Sequence, residues 1–392
     1  MLNVLLLTQN IGSIECNVEN EVTAENQAMT EQWCQSVAAF VEASGTTVDV
    51  LVLHFQEMGG KKFHGAFNDY FKGMVTQCYP TAAWCSGLLA PMENDVTTFT
   101  AMGTVLFCSA RVVERVALWS VAKDKFVPVQ EIDNSSSFFQ SAKFSNAGTS
   151  RKGYLQTRLR IGDTTTLQFM NLHLLHDADN TVAASQPFPS EYVHKRLEAI
   201  VQATTFNNNN KELPLFLFGD WNMRLDTHGL KAHLEETVED ATTKIELEKK
   251  KIHASSQVWD YLHRANHWTT IREQFDKEPK LMQQIIQEKS GMVMTEMPIA
   301  FGPTYLLEDD PAIARSNQTN LLENNNTGDN NKEEDQALTA CYQKQRFPAW
   351  CDRIWYNEPG RALVEKGDPV YWNAKLHPMD HLPVYLRFRI EE

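Results

Sequence analysis

The chain has 392 residues, 42 % of them hydrophobic and 22 % charged, which is enough for a globular protein with a sizeable core. Its net charge of −14 steers it away from the phosphate backbone of nucleic acid, while a local basic pocket could still hold a small anion. No run of 18 apolar residues occurs, so no helix is expected to span a membrane.

The start, MLNVLLLTQN, lacks a basic n-region and a small-residue cleavage site, so it reads as a core strand over Val4 to Leu7 and not as a signal peptide. From Asn26, Met29, Trp33, Val37, Phe40 and Val41 recur at helical spacing and predict one buried helix face. VDVLVLHFQEMGG, from Val48, predicts a strand that ends at Gln56-Glu57 and breaks at Gly59-Gly60. A further strand is expected at Thr104 to Cys108. YLQTRLRI and TLQFMNLHLL predict a hairpin turning near Gly162-Asp163. SEYVHKRLEAIVQATTF predicts a helix with Ser190 as N-cap, and LFLFGD a strand after it. The stretch from 230 to 290 is mostly charged and helical; its ELEKKK and KEPKLMQQIIQEK segments read as solvated helix faces. Residues 316–336 are rich in Asn, Asp and Glu and are expected to be a disordered surface loop. RIWY from Arg353 and PVYLRFRI from Pro383 return to strands. Neither a repeat nor a Pro- or Gly-rich linker interrupts the chain, so a single domain with insertions is expected. Two packed sheets with helices outside would satisfy this order.

The seven cysteines (16, 34, 78, 85, 108, 341, 351) are odd in number and contain no CxxC. That argues against a disulfide framework or a zinc site and for reduced thiols in a cytosolic setting.

Several strands end in polar groups: Asn10, Glu57, Asn171 and His173, and, in FGDWNMR, Asp220, Asn222 and Arg224. Alternation along a strand would put these last three on one face. Asp380-His381 precede the final strand. Taken singly, each reads as a cap, a surface charge or a satisfied histidine. Together they suit phosphate-ester chemistry. A hard cation such as Mg²⁺ wants one or two carboxylates, a role for Glu57 with Asn10. An attacking water needs a base and the phosphoryl oxygens need positive charge, roles for Asp220, Asn222 and His381. Asp380 is the candidate carboxylate to orient His381.

PAWCDRIWY, from Pro348, resembles the PAWCDRIL signature of the inositol polyphosphate 5-phosphatases, and FGDWNMR is similar to that family's GDxNxR signature. QNIGS, HFQEMGGK, SRKGYLQTR and NLHLLHDADN extend the likeness to the type I enzymes from the first strand to the last. The resemblance implies the deoxyribonuclease-I-like fold of the endonuclease/exonuclease/phosphatase superfamily, an α/β two-sheet sandwich flanked by helices, as a single catalytic domain over 1–392. It implies Mg²⁺-dependent removal of the 5-phosphate from soluble inositol polyphosphates, chiefly inositol 1,4,5-trisphosphate and secondly the 1,3,4,5-tetrakisphosphate. By motif, Glu57 and Asn10 would serve the metal, and Asp220, Asn222, His173, His381 and Asp380 would be catalytic. Arg151, Lys152, Lys344, Arg346, Arg353 and Asn171, with Lys195 as a further candidate, would bind substrate. Cys351 is expected to pack beneath the site. The terminal motif departs from Asp-His-Lys-Pro at Leu382, with Met379 before it, and the chain ends RIEE without a prenylatable cysteine. A cytoplasmic monomer without a stable membrane anchor is expected, membrane-associated only if a longer form is prenylated. A lipid 5-phosphatase, a nuclease of the superfamily and a non-catalytic inositol phosphate binder are the rival readings.

Overall fold

The computed structural model describes residues 1–12, 24–44, 47–58, 70–71, 73–79, 81–89, 100–132, 135–206, 210–238, 245–307, 342–374 and 379–391. The Gly59-Gly60 break and the 316–336 stretch lie outside them.

Two sheets make the frame. The first has six strands in the order β15 (Val370–Asn373), β16 (Val384–Ile390), β1 (Leu2–Asn10), β2 (Val50–Gln56), β4 (Gly103–Ser109), β3 (Ala82–Leu89). The second runs β13 (Met294–Glu296), β14 (Asp352–Asn357), β10 (Leu215–Asp220), β9 (Thr165–His173), β8 (Gly153–Ile161), β5 (Val116–Ser120), β6 (Lys125–Pro128), with β7 (Phe139–Lys143) also on β8. Each sheet holds one parallel pair, β1 with β2 and β9 with β10. A parallel pair needs a crossover, and a helix supplies each one: Ala24–Ala43 and Glu191–Phe206.

The crossovers explain the uninterrupted apolar runs of these strands, which are covered on both faces. On the outside of the first sheet, Trp33, Val37 and Val41 pack on Leu5, Leu7, Leu51, Leu53 and Phe55, with Met29 and Phe40 at the margin. On the outside of the second, Ala199, Ile200 and Ala203 pack on Met170, Leu172, Leu215 and Leu217. Ser190 caps this second helix by accepting from the Val193 N–H (3.5 Å).

Between the sheets the inward residues alternate along each strand, and their character changes with position. Val4 and Leu6 give way to Thr8 and Asn10, and Val50 and Val52 to His54 and Gln56. Leu167 and Phe169 give way to Asn171 and His173, and Phe216 and Phe218 to Asp220. One end of the sandwich interior is therefore apolar and the other polar. At the apolar end Phe216 stacks on Phe388 across the gap, ring centres 5.2 Å apart. Truncating such a ring to alanine costs about 3–5 kcal/mol. Toward the polar end the sheets are tied by hydrogen bonds. His54 Nδ1 donates to the Phe218 carbonyl (3.1 Å), and Asn171 Nδ2 to the carbonyls of Phe55 (3.1 Å) and Gly103 (2.7 Å).

Between β10 and β13 the chain leaves the sheet for helices Thr227–Thr237, Ser256–Leu262, Ala265–Phe275 and Glu278–Ser290, which return Trp259, Trp268 and Ile271 to the inter-sheet core. Asp226 and Ser255 cap the first two. ELEKKK is not a helix face. It forms the tight antiparallel pair β11 (Glu246–Leu247) and β12 (Ile252–His253), closed by the Glu248 N–H on the Lys251 carbonyl (2.8 Å).

Candidate active site

The parallel pairs bring four strand ends to the polar end of the sandwich: Asn10, Gln56 with Glu57 after it, His173 and Asp220. β14 starts there in register, Asp352 opposite Asp220. His381 enters just before β16.

FGDWNMR does not continue as a strand through Arg224. β10 stops at Asp220, and Asn222 turns the chain with φ 49°, a left-handed conformation that Asn tolerates better than most residues. The turn still gathers the three polar groups, by hydrogen bonding instead of alternation. Asn222 donates to both oxygens of Asp220, from N–H (2.8 Å) and Nδ2 (2.9 Å), and its Oδ1 accepts from Arg224 (3.0 Å). Gly219 is required just before it, because a Cβ there would collide with the Leu172 carbonyl on the parallel neighbour.

Asp220 is only 1 % exposed. Asn10 Nδ2 donates to it (3.1 Å), and His173 Nε2 stands 3.4 Å away. Burial opposes its ionisation, but the charge of His381 and the hydrogen bond from His173 outweigh burial and hold its pKa well below the usual carboxylate range. His173 Nε2 also lies 3.6 Å from Glu57, so both carboxylates share one imidazole nitrogen. Lys152 packs against the same nitrogen and sits 3.5 Å from Glu57, with Arg151 at 4.0 Å. Burial would raise the Glu57 pKa; Lys152, His173 and Arg151 together bring it down to about 2. Burial first, then Lys152, push the His173 imidazole toward its neutral form. Glu57 holds φ 61° and keeps a 30 % exposed side chain, so it is the carboxylate at the mouth.

His381 is oriented by Asp352 and not by Asp380. Its Nδ1–H donates to Asp352 Oδ2 (2.8 Å), which in turn accepts from the Thr304 hydroxyl (2.7 Å). Burial disfavours the imidazolium, yet Asp352 and Asp220 together raise the His381 pKa well above the ordinary value. Tyr305 lies against the His381 ring, centres 4.7 Å apart, and under the Arg224 guanidinium at 3.9 Å.

The remaining expected site residues divide. Arg346 lies at the rim, donating to the Asp177 carbonyl (3.2 Å) within the field of Arg224 and Tyr305. Asn171 is fully buried one layer below, spent on Gln56 and two backbone carbonyls, and offers no free face to a substrate. Arg353 is also misplaced by the sequence reading. It points to the opposite side of β14, sealed in ion pairs with Asp276 and Glu296 (3.0 Å). Lys344 is exposed, with its electrostatic contact at His263, and Lys195 is exposed and paired with Glu191 (3.0 Å) on its own helix. Cys351 is packed beneath the site, its thiol donating to the Met223 carbonyl (3.4 Å). Leu382 and Met379 are both buried in apolar clusters, so these departures serve packing. Sequence reasoning missed Asp352, although it lies inside PAWCDR. Tyr305 carried no signal, and His176 was legible only as a neighbour of His173 in FMNLHLLHD; burial, then Lys152 and Arg224, lower the His176 pKa to about 4.

The donor set suits a hard divalent cation, which takes oxygen ligands. Glu57 offers a partly exposed carboxylate whose neutralising side chains, among the described residues, stand at 3.5 Å or more. Asp220, Asp352 and His381 bring ligand atoms within 4.8 Å of one another, and Asp352 Oδ1 is buried without a hydrogen-bond partner among the described residues.

Residues 17–387 match the model of the endonuclease/exonuclease/phosphatase family 2. The chain belongs to this family. A Caenorhabditis elegans protein named probable type I inositol 1,4,5-trisphosphate 5-phosphatase is 26 % identical over the whole length of both chains. Human inositol polyphosphate-5-phosphatase A is 25 % identical, with 99 % of this chain aligned to 93 % of that one. Among solved structures, the inositol polyphosphate 5-phosphatase domain of a synaptojanin, crystallised with inositol (1,4)-bisphosphate and calcium, superposes with a TM-score of 0.53 at 15 % identity over 99 % of this chain and 83 % of that one. The sandwich of two mixed sheets with flanking helices is thus the family fold, and the full-length likeness to the 5-phosphatases agrees with the two sequence signatures.

Proposed function

We propose that this family member is a Mg²⁺-dependent phosphatase that removes the 5-phosphate of soluble inositol polyphosphates, with inositol 1,4,5-trisphosphate the first substrate and the 1,3,4,5-tetrakisphosphate the second. The observation that carries the reading is the buried Asp220 between His173 and the His381–Asp352 pair, at a mouth bordered by Arg151, Lys152, Arg224 and Arg346. The full-length similarity to proteins named as 5-phosphatases supports it.

Asp220 would orient the attacking water and take its proton, braced by Asn10 and Asn222 so that the carboxylate does not rotate. Attack is in line with the leaving inositol oxygen, and no covalent enzyme intermediate forms. His381 would donate from Nε2 to a phosphoryl oxygen, with Asp352 fixing its tautomer and offsetting its charge. His173 would offer Nε2 between the two carboxylates. Lys152, Arg151 and Arg346 would meet the phosphates that do not react, Arg with paired N–H bonds and Lys as a point charge. Glu57, with Asn10, would hold Mg²⁺, which when bound neutralises charge on the phosphoryl and leaving oxygens.

A single catalytic domain, a cytoplasmic monomer and a role in ending inositol phosphate and calcium signals complete the proposal. No helix of the described residues is long and apolar enough to cross a membrane. The test is phosphate release from inositol 1,4,5-trisphosphate with Mg²⁺ and with chelator, beside phosphoinositide vesicles and supercoiled plasmid. Mg²⁺-dependent release from the soluble trisphosphate alone is expected. Preference for the lipid, or nicking of the plasmid, would replace this reading with a lipid phosphatase or a nuclease.

A further inference from the structure

Far from the active site, two arginines stand on the outer face of β8. Leu155, Leu159 and Ile161 of this strand point into the sandwich, so Arg158 and Arg160 point out. Arg158 lies over the ring of Trp119 at 5.0 Å, and Arg160 over that of Phe126 at 4.5 Å. The two rings meet edge to face, centres 5.1 Å apart. Neither guanidinium has a hydrogen bond or an ion pair among the described residues, and the Nε of each is buried without a partner. Among the arginines buried in the described residues, Arg196 is spent on Asp177 and Glu278 and Arg353 on Asp276 and Glu296, while Arg224 donates to Asn222 over the Tyr305 ring at the active site. In a chain with 50 acidic residues and a net charge of −14, two adjacent unpaired guanidiniums require an explanation.

Stacking on an aromatic face fixes the guanidinium plane and leaves its edge donors free, an arrangement suited to phosphate oxygens. The two rings and the two arginines are half-buried, and the apolar cluster under helix Glu191–Phe206 includes Tyr154 of β8 but, among the described residues, none further along that strand. The turn from β5 to β6 adds exposed Val121 (40 %) and exposed Lys123 and Lys125, with Asp124 between them as the carboxylate whose field reaches Arg158. The two stacked arginines, Lys123 in the turn, two aromatic rings and an exposed apolar tip match a bilayer interface, while Lys125 falls on the Val127 side of β6. There lipid phosphates lie level with aromatic rings, and anionic lipid attracts basic side chains.

We propose that the Trp119–Phe126–Arg158–Arg160 face, with the Val121 turn, docks on the anionic surface of a phospholipid bilayer. The active site is at the opposite end of the same hairpin, since Gly153 pairs with His173 while Arg160 pairs with Thr166. At about 3.3 Å per residue that is on the order of 20 Å along the strand. Docking at this face leaves the mouth open to water and to a soluble substrate.

The test is co-sedimentation of the full chain with vesicles of phosphatidylcholine alone or mixed with phosphatidylserine. The chain should partition onto the mixed vesicles and not the neutral ones, and salt should weaken binding. Arg158→Gln with Arg160→Gln should lower the partition coefficient roughly thirtyfold, with the melting midpoint and phosphate release unchanged. Val121→Asp, in an exposed turn that cannot unfold the core, should weaken it with the arginines intact. The proposal is overturned if wild type ignores phosphatidylserine, or if both variants bind as wild type does. It is also overturned if inorganic phosphate is bound through the arginine pair while vesicles are not. None of these outcomes depends on the enzymatic reading, which the phosphate-release assay tests separately.

Discussion

Two groups of buried charges lie on opposite sides of β14, one residue apart in sequence. Arg353 on the outer side is closed off: Asp276 and Glu296 neutralise it, and Tyr371 donates to Glu296 (2.8 Å). Asp352 on the inner side belongs to an open group. Among the described residues His173 Nδ1 and Asp352 Oδ1 lack partners, Glu57 is partly exposed, and the histidines are pushed in opposite directions, His173 toward neutral and His381 toward charged. A structural ion cluster satisfies itself. A cluster built for chemistry leaves donors, acceptors and an opening unused. Burial alone, which is near complete in both, does not tell them apart.

Removing the orienting carboxylate should sharpen the contrast most. Asp352→Asn is expected to lower kcat about 10³-fold or more, because an amide can hold the wrong His381 tautomer, with little change in the melting midpoint. Equal kcat would show that His381 is only packed there. Arg353→Gln should do the reverse. Two buried carboxylates lose their counter-charge, at a cost of about 3–5 kcal/mol in urea unfolding, while KM of the folded fraction stays put. An unchanged stability with a raised KM would return Arg353 to the substrate site.

His54 offers a stability effect tied to pH. Burial depresses its pKa to about 3, against 6.5 when unfolded, with the Phe218 carbonyl opposing weakly. The unfolded chain takes up a proton below pH 6.5 and the folded chain does not. The contribution is therefore complete above pH 6.5 and is lost as pH falls toward 3. Between pH 7 and 5 this costs about 2 kcal/mol, and His54→Asn should remove that part of the slope in unfolding measured at the two pH values. The smallest effect separates the cations. Lys152→Met should raise KM roughly tenfold or more for the trisphosphate, on the scale of one lost charge-assisted bond. Lys344→Ala and Lys195→Ala should leave KM alone. A KM change at Lys195 as large as at Lys152 would move the phosphate pocket.

The catalytic strand ends were legible because inward alternation along β1, β2, β9 and β10 carries each from apolar to polar, and the order of residues shows it. The parallel pairing was not, since periodicity does not encode direction; it follows from the two crossover helices. Asp380 was a poor choice of partner for His381 because neighbouring residues in extended chain point to opposite sides, while Asp352 arrives from 29 residues away in sequence. The same alternation separates Arg353 from Asp352, so one motif holds a site residue and a structural one. ELEKKK reads as a helix by composition, but backbone pairing of Glu246 with His253 and Leu247 with Ile252 makes it a hairpin.

The most direct measurement is position-resolved product analysis of inositol 1,4,5-trisphosphate after turnover with Mg²⁺ by wild type and by Asp220→Asn, with trisphosphate binding measured on both. Wild type should yield the 1,4-bisphosphate, and the variant should lose turnover by a factor on the order of 10²–10⁴ while retaining binding. Undiminished turnover by Asp220→Asn, or release from another ring position, would contradict the proposed reaction.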